Sequence, residues 1–310
     1  MNEFIDIVVV NWNSGSQLSN CIESIQKYDA GLVRNIIVVD NGSVDDSESF
    51  LEKQANVKLI RTGENLGFGR ACNIGAKHGN SEFVLFLNPD AQLFENSLSS
   101  LVQFTRQKEN EKNGIFGIQL IDEEGHIAQS CTRFPSIAGL IAHATGFDRV
   151  FPALGHFMTE WDHASTRRVD HVIGAFFLLR RPLFDLLHGF DERFFVYLED
   201  LDISYRAKSL GWSAVYFAEA QAFHAGGGTS RQVKAKRLFY SLRSSIIYAF
   251  KHFNVFAAAI FLLVTLLIEP FMRSILALFR GSWPSLKETW LAYGMLVQWL
   301  PRWILKGETR

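Results

Sequence analysis

The sequence predicts an α/β protein with a mostly parallel, doubly wound central sheet flanked by helices, followed by an apolar helical region. Over the first 120 residues, short apolar runs alternate with helical patterns, as in parallel α/β folds. Hydrophobic residues make up 48% of the 310 residues and charged residues 20%. This composition excludes a disordered chain and provides a sizeable core. Over the last 75 residues, long apolar stretches are interspersed with Lys, Arg and Trp.

Five apolar runs, rich in β-branched residues and bounded by Asn, Gly or Asp, are predicted to be strands buried on both faces. They are Ile5 to Val10, Ile36 to Val39, Val57 to Ile60, Phe83 to Leu87 and Ile115 to Leu120. The predicted helices between them are Leu18 to Lys27, Ser47 to Gln54, Gly69 to Lys77 and Ser97 to Gln107. Ligands of such sheets bind at the carboxyl ends of the strands, so polar groups after the strands are the candidate site.

The middle of the chain is predicted to begin irregularly and then return to strands and helices. Residues 122 to 168 carry scattered His, Pro and Gly and are predicted to be loops and short elements over the active face. Val172 to Leu179 predicts a strand, and Pro182 is suited to the first turn of a helix. Glu199 to Ser209 predicts a further helix, and Ala214 to Phe217 a further strand.

Charge divides the chain into a catalytic domain at residues 1 to 230 and a helical region at residues 231 to 310. The second part has twelve basic and three acidic residues, a balance of +9, whereas the first part has a balance of −10. Val233 to Phe250 predicts a basic amphipathic helix. Val255 to Ile268 is free of charge but shorter than the roughly 20 residues that span a bilayer. Trp beside Lys or Arg, as around Trp290 to Leu305, is typical of the lipid–water interface.

We therefore expect the C-terminal region to lie on an anionic membrane surface, with packing on the core or in a homodimer as the alternative. Nucleic acid is not an expected partner, because the basic residues alternate with long apolar runs. Cys21, Cys72 and Cys131 are odd in number and form no C-x-x-C pair, which predicts a reducing cytosol without disulfides or a zinc site. The segment Met1 to Asp6 has two acids and no basic residue, which argues against a signal peptide.

Two polar motifs are candidates for binding a nucleotide. Asp40 ends the second strand, where a carboxylate can accept hydrogen bonds from a base or a ribose; a simple Asx turn is the alternative. Gly67 and Gly69 precede a helix whose N-terminus favours an anion such as a diphosphate, with Arg70 and Asn73 close in sequence. The alternative for this second motif is an ordinary helix cap.

Three further motifs carry acids or a histidine. Asp90 follows a very apolar strand in an Asn-Pro-Asp turn that suits a hard cation, and a solvated turn is the alternative. Glu199, Asp200 and Asp202 lie within four residues beside an aromatic run, which raises at least one pKa and suits a general base near neutral pH. A helix N-terminus also attracts acids. His224 precedes a glycine loop that can wrap phosphates, although a lone histidine is often structural.

In this order, the motifs resemble family 2 glycosyltransferases of the GT-A fold, a Rossmann-like architecture, over about residues 5 to 250. Within that family they resemble bacterial rhamnosyltransferases that act on polyprenyl-diphosphate-linked sugars. The segments that carry the resemblance are Val9 to Asn13, Val38 to Ser43, Glu64 to Asn73, Phe86 to Asp90, Ile173 to Arg181, Gly189 to Asp202 and Phe223 to Ser230.

The resemblance implies a role for each matching residue. Asp200 would be the catalytic base with Glu199 as its partner, and Asp90 and His224 would hold Mg2+ or Mn2+. Asn88 replaces the first acid of the usual D-x-D motif, which leaves the cation more dependent on the diphosphate and His224. The residues implied to bind donor or acceptor are Asn11, Asp40, Asn41, Ser43, Asn65, Gly67, Phe68, Arg70, Asn73, Asn88, Gly174, Ala175 and Asp202.

The implied activity is an inverting, metal-dependent transfer of a sugar, with dTDP-L-rhamnose as the expected donor. The implied acceptor is a polyprenyl-diphosphate-linked glycan in cell-envelope polysaccharide synthesis, reached peripherally at the cytoplasmic face of the inner (plasma) membrane. Galactofuranosyl or N-acetylhexosaminyl transfer from a UDP-sugar is an alternative. A non-catalytic sugar-nucleotide-binding scaffold is another, supported by Asn88. A nucleotidyltransferase lacks support, because no glycine-rich loop with a following Lys succeeds the first strand.

Overall fold

The computed structural model describes residues 5–28, 30–226 and 234–309. Contacts divide the chain into two units. The first unit comprises Met1–Arg133, Met158–Glu192 and Glu199–Thr229, and the second comprises Phe134–Phe157, Arg193–Leu198 and Ser230–Arg310. The last division, between residues 229 and 230, lies one residue before the predicted boundary, and residues 134–157 and 193–198 are grouped with the second unit.

Eleven strands and ten α-helices are formed by the described residues. The strands are β1 (Ile5–Asn11), β2 (Val33–Asp40), β3 (Val57–Arg61), β4 (Phe83–Leu87), β5 (Ala91–Leu93), β6 (Asn113–Ile121), β7 (Cys131–Thr132), β8 (Arg167–Val169), β9 (His171–Val172), β10 (Phe176–Arg180) and β11 (Ser213–His224). The helices are α1 (Ser16–Lys27), α2 (Phe68–Ala76), α3 (Ser97–Thr105), α4 (Ile137–Thr145), α5 (Arg181–Leu186), α6 (Glu199–Ser209), α7 (Lys234–His252), α8 (Val255–Leu267), α9 (Glu269–Phe279) and α10 (Trp283–Lys306).

The central sheet of the first unit has the order β3-β2-β1-β4-β10-β6-β11-β5, with β8 paired to β11. The part from β3 to β4 is parallel, as predicted. The sheet becomes mixed at β10, which runs antiparallel to both β4 and β6. An apolar run records burial but not direction, so the sequence pattern could not show this reversal. Because β10 is reversed, its first residues lie at the edge where the parallel strands end.

The core of the first unit lies on both faces of this sheet. Every residue of β1 is buried; Ile7 and Val9 pack on one face, and Val8 and Val10 on the other. Helices α1 and α3 cover the first face, whereas α2, α5 and α6 cover the second. Burying a Val or Ile side chain stabilises a fold by about 1.5–3 kcal/mol, so these short runs hold the polar ends of the strands firmly.

Two local predictions were wrong, whereas residues 122 to 168 consist of loops and short elements as predicted. The predicted helix from Ser47 to Gln54 is only a 3-10 turn at Ser49–Lys53. The predicted strand from Val172 to Leu179 is interrupted between β9 and β10. Residues 122 to 168 contain α4, which Ser136 caps by accepting a hydrogen bond from the Gly139 N–H. The run in α4 is apolar on most sides, so it lacks the amphipathic period that predicts a surface helix.

The second unit consists of α4 and α7 to α10 with their connections. The C-terminal region is helical, as predicted, and consists of α7 to α10. Helices α8 and α9 are separated at Ile268 alone. Together they form a 25-residue stretch, Val255–Phe279, whose length and apolar composition are sufficient to cross a membrane. The charge-free run predicted to be too short is therefore one part of a longer apolar stretch.

Candidate active site

Asn11 and Asp40 come together where β1 and β2 end. The Asn11 Nδ2 donates to Asp40 Oδ1 at 2.9 Å and lies 3.1 Å from Ser43 Oγ. The Ser43 N–H donates to the other carboxylate oxygen of Asp40 at 3.2 Å. Asn11 and Asp40 are almost fully buried. These contacts fix the orientation of the Asp40 carboxylate, as recognition of one base or ribose requires.

The turn after β2 docks onto the loop that precedes α2. Asn41 Nδ2 donates to Asn65 Oδ1 at 3.1 Å and lies 3.3 Å from the Gly67 carbonyl oxygen. Gly42 has φ of +78°, and a Cβ there would lie 2.7 Å from the Glu64 carbonyl carbon. Only glycine fits this approach. Two motifs that the sequence presents separately therefore form one polar wall.

Helix α2 begins at Phe68, and three of its residues that were predicted to bind the donor contact the segment from Phe190 to Glu192. The Phe68 ring contacts the Phe190 ring edge to face, at 6.4 Å between centroids, and Arg70 Nε lies 3.5 Å from a Glu192 carboxylate oxygen. Asn73 Nδ2 donates to the Phe190 carbonyl, and the Phe190 N–H donates to Asn73 Oδ1, both at 2.9 Å. Asn73 therefore holds the Phe190 backbone, and the donor contact of Asn73 stays a prediction.

Asp90 and His224 meet as the sequence predicts. His224 Nε2 lies 3.3 Å from Asp90 Oδ1, and both side chains are largely buried, with 12% and 8% exposed. The Ala225 N–H donates to the Asp90 carbonyl, which holds the end of β11 against the turn. Asn88, in the same turn, is anchored because its N–H donates to the Ala175 carbonyl at 3.0 Å.

The Asp90 and His224 pair fits a divalent cation. One carboxylate oxygen and one imidazole nitrogen are donors that Mg2+ or Mn2+ accepts. Neighbouring ligands of an octahedral ion with bonds of about 2.1 Å are about 3 Å apart, close to the separation found here. The glycine loop that was expected to wrap phosphates, from Gly227 onwards, lies outside the described residues.

Asp200 is held by three groups at the start of α6. Its Oδ2 accepts from the Gly174 N–H at 2.7 Å, and its Oδ1 accepts from the Leu201 N–H at 2.8 Å. His171 Nε2 lies 3.6 Å from Oδ2, while its Nδ1 is 3.1 Å from Ser204 Oγ. Burial by itself would raise the pKa of Asp200. The His171 side chain and the two N–H donors outweigh burial and hold that pKa below its usual value.

His171 is a residue of this site that the sequence analysis missed. It is buried in the short strand β9, and it approaches Asp200 only because that strand packs beside α6. Its position three residues before Gly174 was the one available indication. A buried histidine in an apolar run is usually structural, so the pattern alone did not distinguish it.

Glu199 and Asp202 have environments quite unlike that of Asp200. Burial raises the pKa of Glu199 well above its usual range, and the nearby Asp200 and Asp202 charges raise it further. The carboxyl whose pKa is raised is therefore Glu199 and not Asp200. Asp202 is fully buried and paired with Arg206 Nε at 2.8 Å. This ion pair supports α6, and the contact of Asp202 with an acceptor stays a prediction.

Gly174 and Ala175 connect the candidate base to the candidate cation site. The Gly174 N–H donates to Asp200, and the Ala175 carbonyl accepts from the Asn88 N–H. A Cβ added to Gly174 would lie 3.1 Å from Asp200 Oδ2. The segment between β9 and β10 therefore joins Asp200 to the Asn-Pro-Asp turn at one edge of the sheet.

Comparison with solved structures identifies the fold class. The chain is similar to the mannosyltransferase PcManGT from Pyrobaculum calidifontis, solved in complex with GDP-Man and Mn2+. The TM-score is 0.54 and the identity 17%, over 98% of this chain and 81% of that chain. Together with the sheet order and the polar edge, this likeness defines a GT-A glycosyltransferase fold, as the sequence predicted.

Comparison with families and curated proteins identifies the family. The profile of glycosyl transferase family 2 matches residues 6–187. The chain therefore belongs to glycosyl transferase family 2 and is a glycosyltransferase. It is 28% identical over 262 residues to N-acetylglucosaminyl-diphospho-decaprenol L-rhamnosyltransferase of Mycobacterium tuberculosis, over 80% of this chain and 84% of the relative. It is 23% identical over 252 residues to rhamnosyltransferase WbbL of Escherichia coli K12, over 78% and 91% of the two chains.

Proposed function

We propose that this enzyme transfers L-rhamnose from dTDP-L-rhamnose to a hydroxyl of a polyprenyl-diphosphate-linked sugar during cell-envelope polysaccharide synthesis. The observation that carries the proposal is the Asp200 carboxylate, joined through Gly174 and Ala175 to the Asn-Pro-Asp turn. The names of the two relatives support rhamnose as the transferred sugar, and the name of the Mycobacterium tuberculosis relative supports a diphospho-polyprenol-linked sugar as the acceptor. We place the enzyme peripherally at the cytoplasmic face of the plasma membrane, where a lipid-linked acceptor is accessible.

Binding of the donor uses the wall formed by the β2 turn and the loop before α2. Asp40, fixed by Asn11 and Ser43, accepts hydrogen bonds from the nucleoside. The loop from Asn65 to Gly67 lies against that turn, so its backbone is available to the diphosphate beside the N-terminus of α2. These contacts orient the anomeric carbon for attack from one side.

The chemical step uses Asp200 as the base. Its ionised carboxylate takes the proton of the acceptor hydroxyl as that oxygen bonds to the anomeric carbon and the bond to the diphosphate breaks. Attack opposite the leaving group inverts the configuration, and no covalent nucleophile is required. The Gly174 N–H and His171 keep the carboxylate ionised and correctly oriented. Orientation of this kind compensates for the modest basicity that a low pKa implies.

Asp90 and His224 would hold Mg2+ or Mn2+. When bound, such an ion neutralises negative charge on the diphosphate leaving group. Support comes from the separation of the two side chains and from the Mn2+ in the mannosyltransferase of similar fold.

Replacing the base tests the proposal directly. We expect Asp200→Asn to reduce transfer by about two to four orders of magnitude, because the amide cannot take the proton. Donor binding, measured by calorimetry, should persist. Asp122→Asn, which changes a carboxyl on an exposed turn, is the matched control and should keep wild-type turnover. Near wild-type turnover of Asp200→Asn would show that the base is assigned wrongly.

The proposed metal site is tested at Asn88, which replaces the first acid of the usual D-x-D motif. We expect Asn88→Asp to lower the Mn2+ concentration needed for half-maximal thermal stabilisation in the presence of dTDP, because a second carboxylate adds charge beside Asp90. His224→Ala should raise that concentration. If neither variant changes the Mn2+ dependence, then this turn does not hold the ion.

Two alternatives have distinct outcomes. A UDP-sugar donor, galactofuranosyl or N-acetylhexosaminyl, would produce the largest rise in melting temperature in a screen of nucleotide sugars with and without Mn2+. A non-catalytic scaffold, which the uncharged Asn88 favours, would bind the donor without transfer or hydrolysis of a radiolabelled sugar.

A further inference from the structure

We propose that the second unit docks on an anionic phospholipid bilayer through an outer face, and that α8 and α9 lie in the plane of the membrane without crossing it. The outer face is defined as the outward sides of α8, α9 and α10 together with the turn from Phe147 to Leu154. This proposal deepens the proposed function, which places the enzyme on a membrane, by naming the contact face and the arrangement of the helices, and it depends on residues of the second unit alone.

Helix α8 is apolar on two opposite sides. Ala258, Phe261 and Thr265, spaced along one side, are buried within the unit. Phe256 and Leu263 point outward and are 77% and 55% exposed. A surface helix of a soluble protein carries polar residues on its outward side, whereas a helix that is apolar all round requires an apolar environment there.

Helices α9 and α10 repeat this arrangement. On α9, Phe271, Leu278 and Phe279 are exposed, the last by 86%. On α10, Trp283 and Trp290 are exposed while the opposite side of the helix is buried. Each of these three consecutive helices therefore exposes several large apolar side chains, more than the scattered apolar residues of an ordinary surface. Exposed Trp side chains favour the membrane interface in particular.

The turn from Phe147 to Leu154 belongs to the same unit and extends the outer face. Phe147, Val150, Phe151 and Leu154 are each about half exposed or more. The turn follows α4 directly and is held to it by Asp148, whose Oδ2 lies 2.6 Å from the Nδ1 of His143. Helix α4 in turn packs against α8 and α9. A constrained turn that presents four apolar side chains is suited to insertion between lipid headgroups.

Charge favours a bilayer over a second copy of the chain. Arg280, Lys287, Arg302 and Lys306 are exposed on the elements that form the outer face. The acidic residues of α8 to α10 are Glu288 and the buried Glu269, so the outer face is basic and two copies facing each other there would repel. Each basic residue near an anionic leaflet instead adds to binding.

The break between α8 and α9 favours helices in the plane of the membrane. Ile268 separates the helices with φ of −112°, and α9 begins with Glu269 and Pro270. Glu269 is buried, and its carboxylate accepts from Arg273 Nε at 2.8 Å on the inward side. A spanning arrangement would place both charges at the depth of the hydrocarbon, which is costly.

Co-sedimentation of the full chain with vesicles tests the proposal. The probes are vesicles of phosphatidylcholine with and without phosphatidylglycerol. We expect wild-type protein to bind the anionic vesicles, and we expect a triple variant, Phe147→Ser with Val150→Ser and Phe151→Ser, to bind at least roughly tenfold more weakly. The matched control replaces three exposed apolar residues of the first unit, Val44→Ser, Leu186→Ser and Leu210→Ser, and should bind like wild type.

Each outcome separates this proposal from its rivals. Equal binding by the triple variant and wild type, with unchanged melting temperatures, overturns the role of the turn. Conversion of a lipid-free dimer to a monomer by the triple variant, without loss of vesicle binding, assigns the face to a second copy. Retention in the vesicle pellet after alkaline carbonate overturns the in-plane arrangement. Transfer to a soluble acceptor should persist in the triple variant. The proposed function fails separately, if Asp200→Asn keeps near wild-type turnover.

Discussion

Asp200 shows how neighbouring groups set the state of a single carboxyl. It is one of three acids within four residues, and its pKa is lowered while that of its neighbour Glu199 is raised. The difference arises because N–H donors and His171 surround Asp200, whereas burial and like charges dominate at Glu199. Within one acidic motif, the surroundings therefore favour the ionised form of Asp200 and the protonated form of Glu199.

Removing His171 should make this difference visible in the pH dependence. The folded pKa of Asp200 is depressed, so the base stays ionised until the pH falls below its usual titration range. His171→Asn removes a group that lowers the pKa of Asp200, so burial should raise that pKa. We therefore expect the acid limb of kcat/KM to move to higher pH. Loss of activity should consequently be larger in acidic than in mildly alkaline buffer.

The control for this experiment is His126→Asn, on an exposed turn, which should leave the pH profile unchanged. A uniform loss of activity at every pH in His171→Asn would assign His171 a structural role only.

At the scale of elements, the candidate site is made by loops that dock on one another at the end of the sheet. The turn after β2 contacts the loop before α2, and the segment before β10 contacts both α6 and the turn after β4. The sequence predicted each of these loops as a motif, because Asn, Gly and Asp after an apolar run are readily recognised. Their pairings depend on the strand order and were not predictable from local patterns.

Two glycines with the same left-handed backbone conformation distinguish the cost of that conformation from the cost of a clash between two packed loops. Gly42 and Gly63 have φ of +78° and +79°. A Cβ at Gly42 would meet the backbone of the facing loop, whereas a Cβ at Gly63 would have no neighbouring atom within 4 Å. Gly63→Ala should cost about 1–2 kcal/mol of stability, from the left-handed backbone alone. Gly42→Ala should cost roughly 1–3 kcal/mol more and weaken donor binding. Equal urea-denaturation midpoints for the two variants would contradict this docking.

At the scale of the whole molecule, buried apolar surface and charge are distributed unevenly along the chain. The first unit buries long apolar strands on both faces of one sheet, yet it also buries several acids at or near the strand ends. The second unit buries one side of each helix and exposes apolar residues on the other. Charge follows the same division, since the first 230 residues are acidic overall and the remaining 80 are basic.

The buried Glu199 should make the stability of the molecule depend on pH. Its folded pKa is raised, so its contribution is complete below the ordinary Glu pKa of about 4.3 and is lost as the pH rises through the folded value. Glutamine resembles the protonated acid, so we expect the melting temperature of Glu199→Gln, relative to wild type, to increase with pH. A constant difference between the two proteins across the pH range would show that Glu199 does not bind its proton in the folded state.

By itself, the sequence determined the positions of the buried strands and the order of the polar motifs, because burial and turn formation act on neighbouring residues. The family was indicated by the resemblance of those ordered motifs to known glycosyltransferases. Only the tertiary structure decided that β10 is reversed and that His171 lies beside Asp200. It also decided that Asn73 binds the Phe190 backbone and that Asp202 pairs with Arg206. The reason is that hydrogen-bond partners and strand directions are selected by packing between segments far apart in the chain, which no local period records.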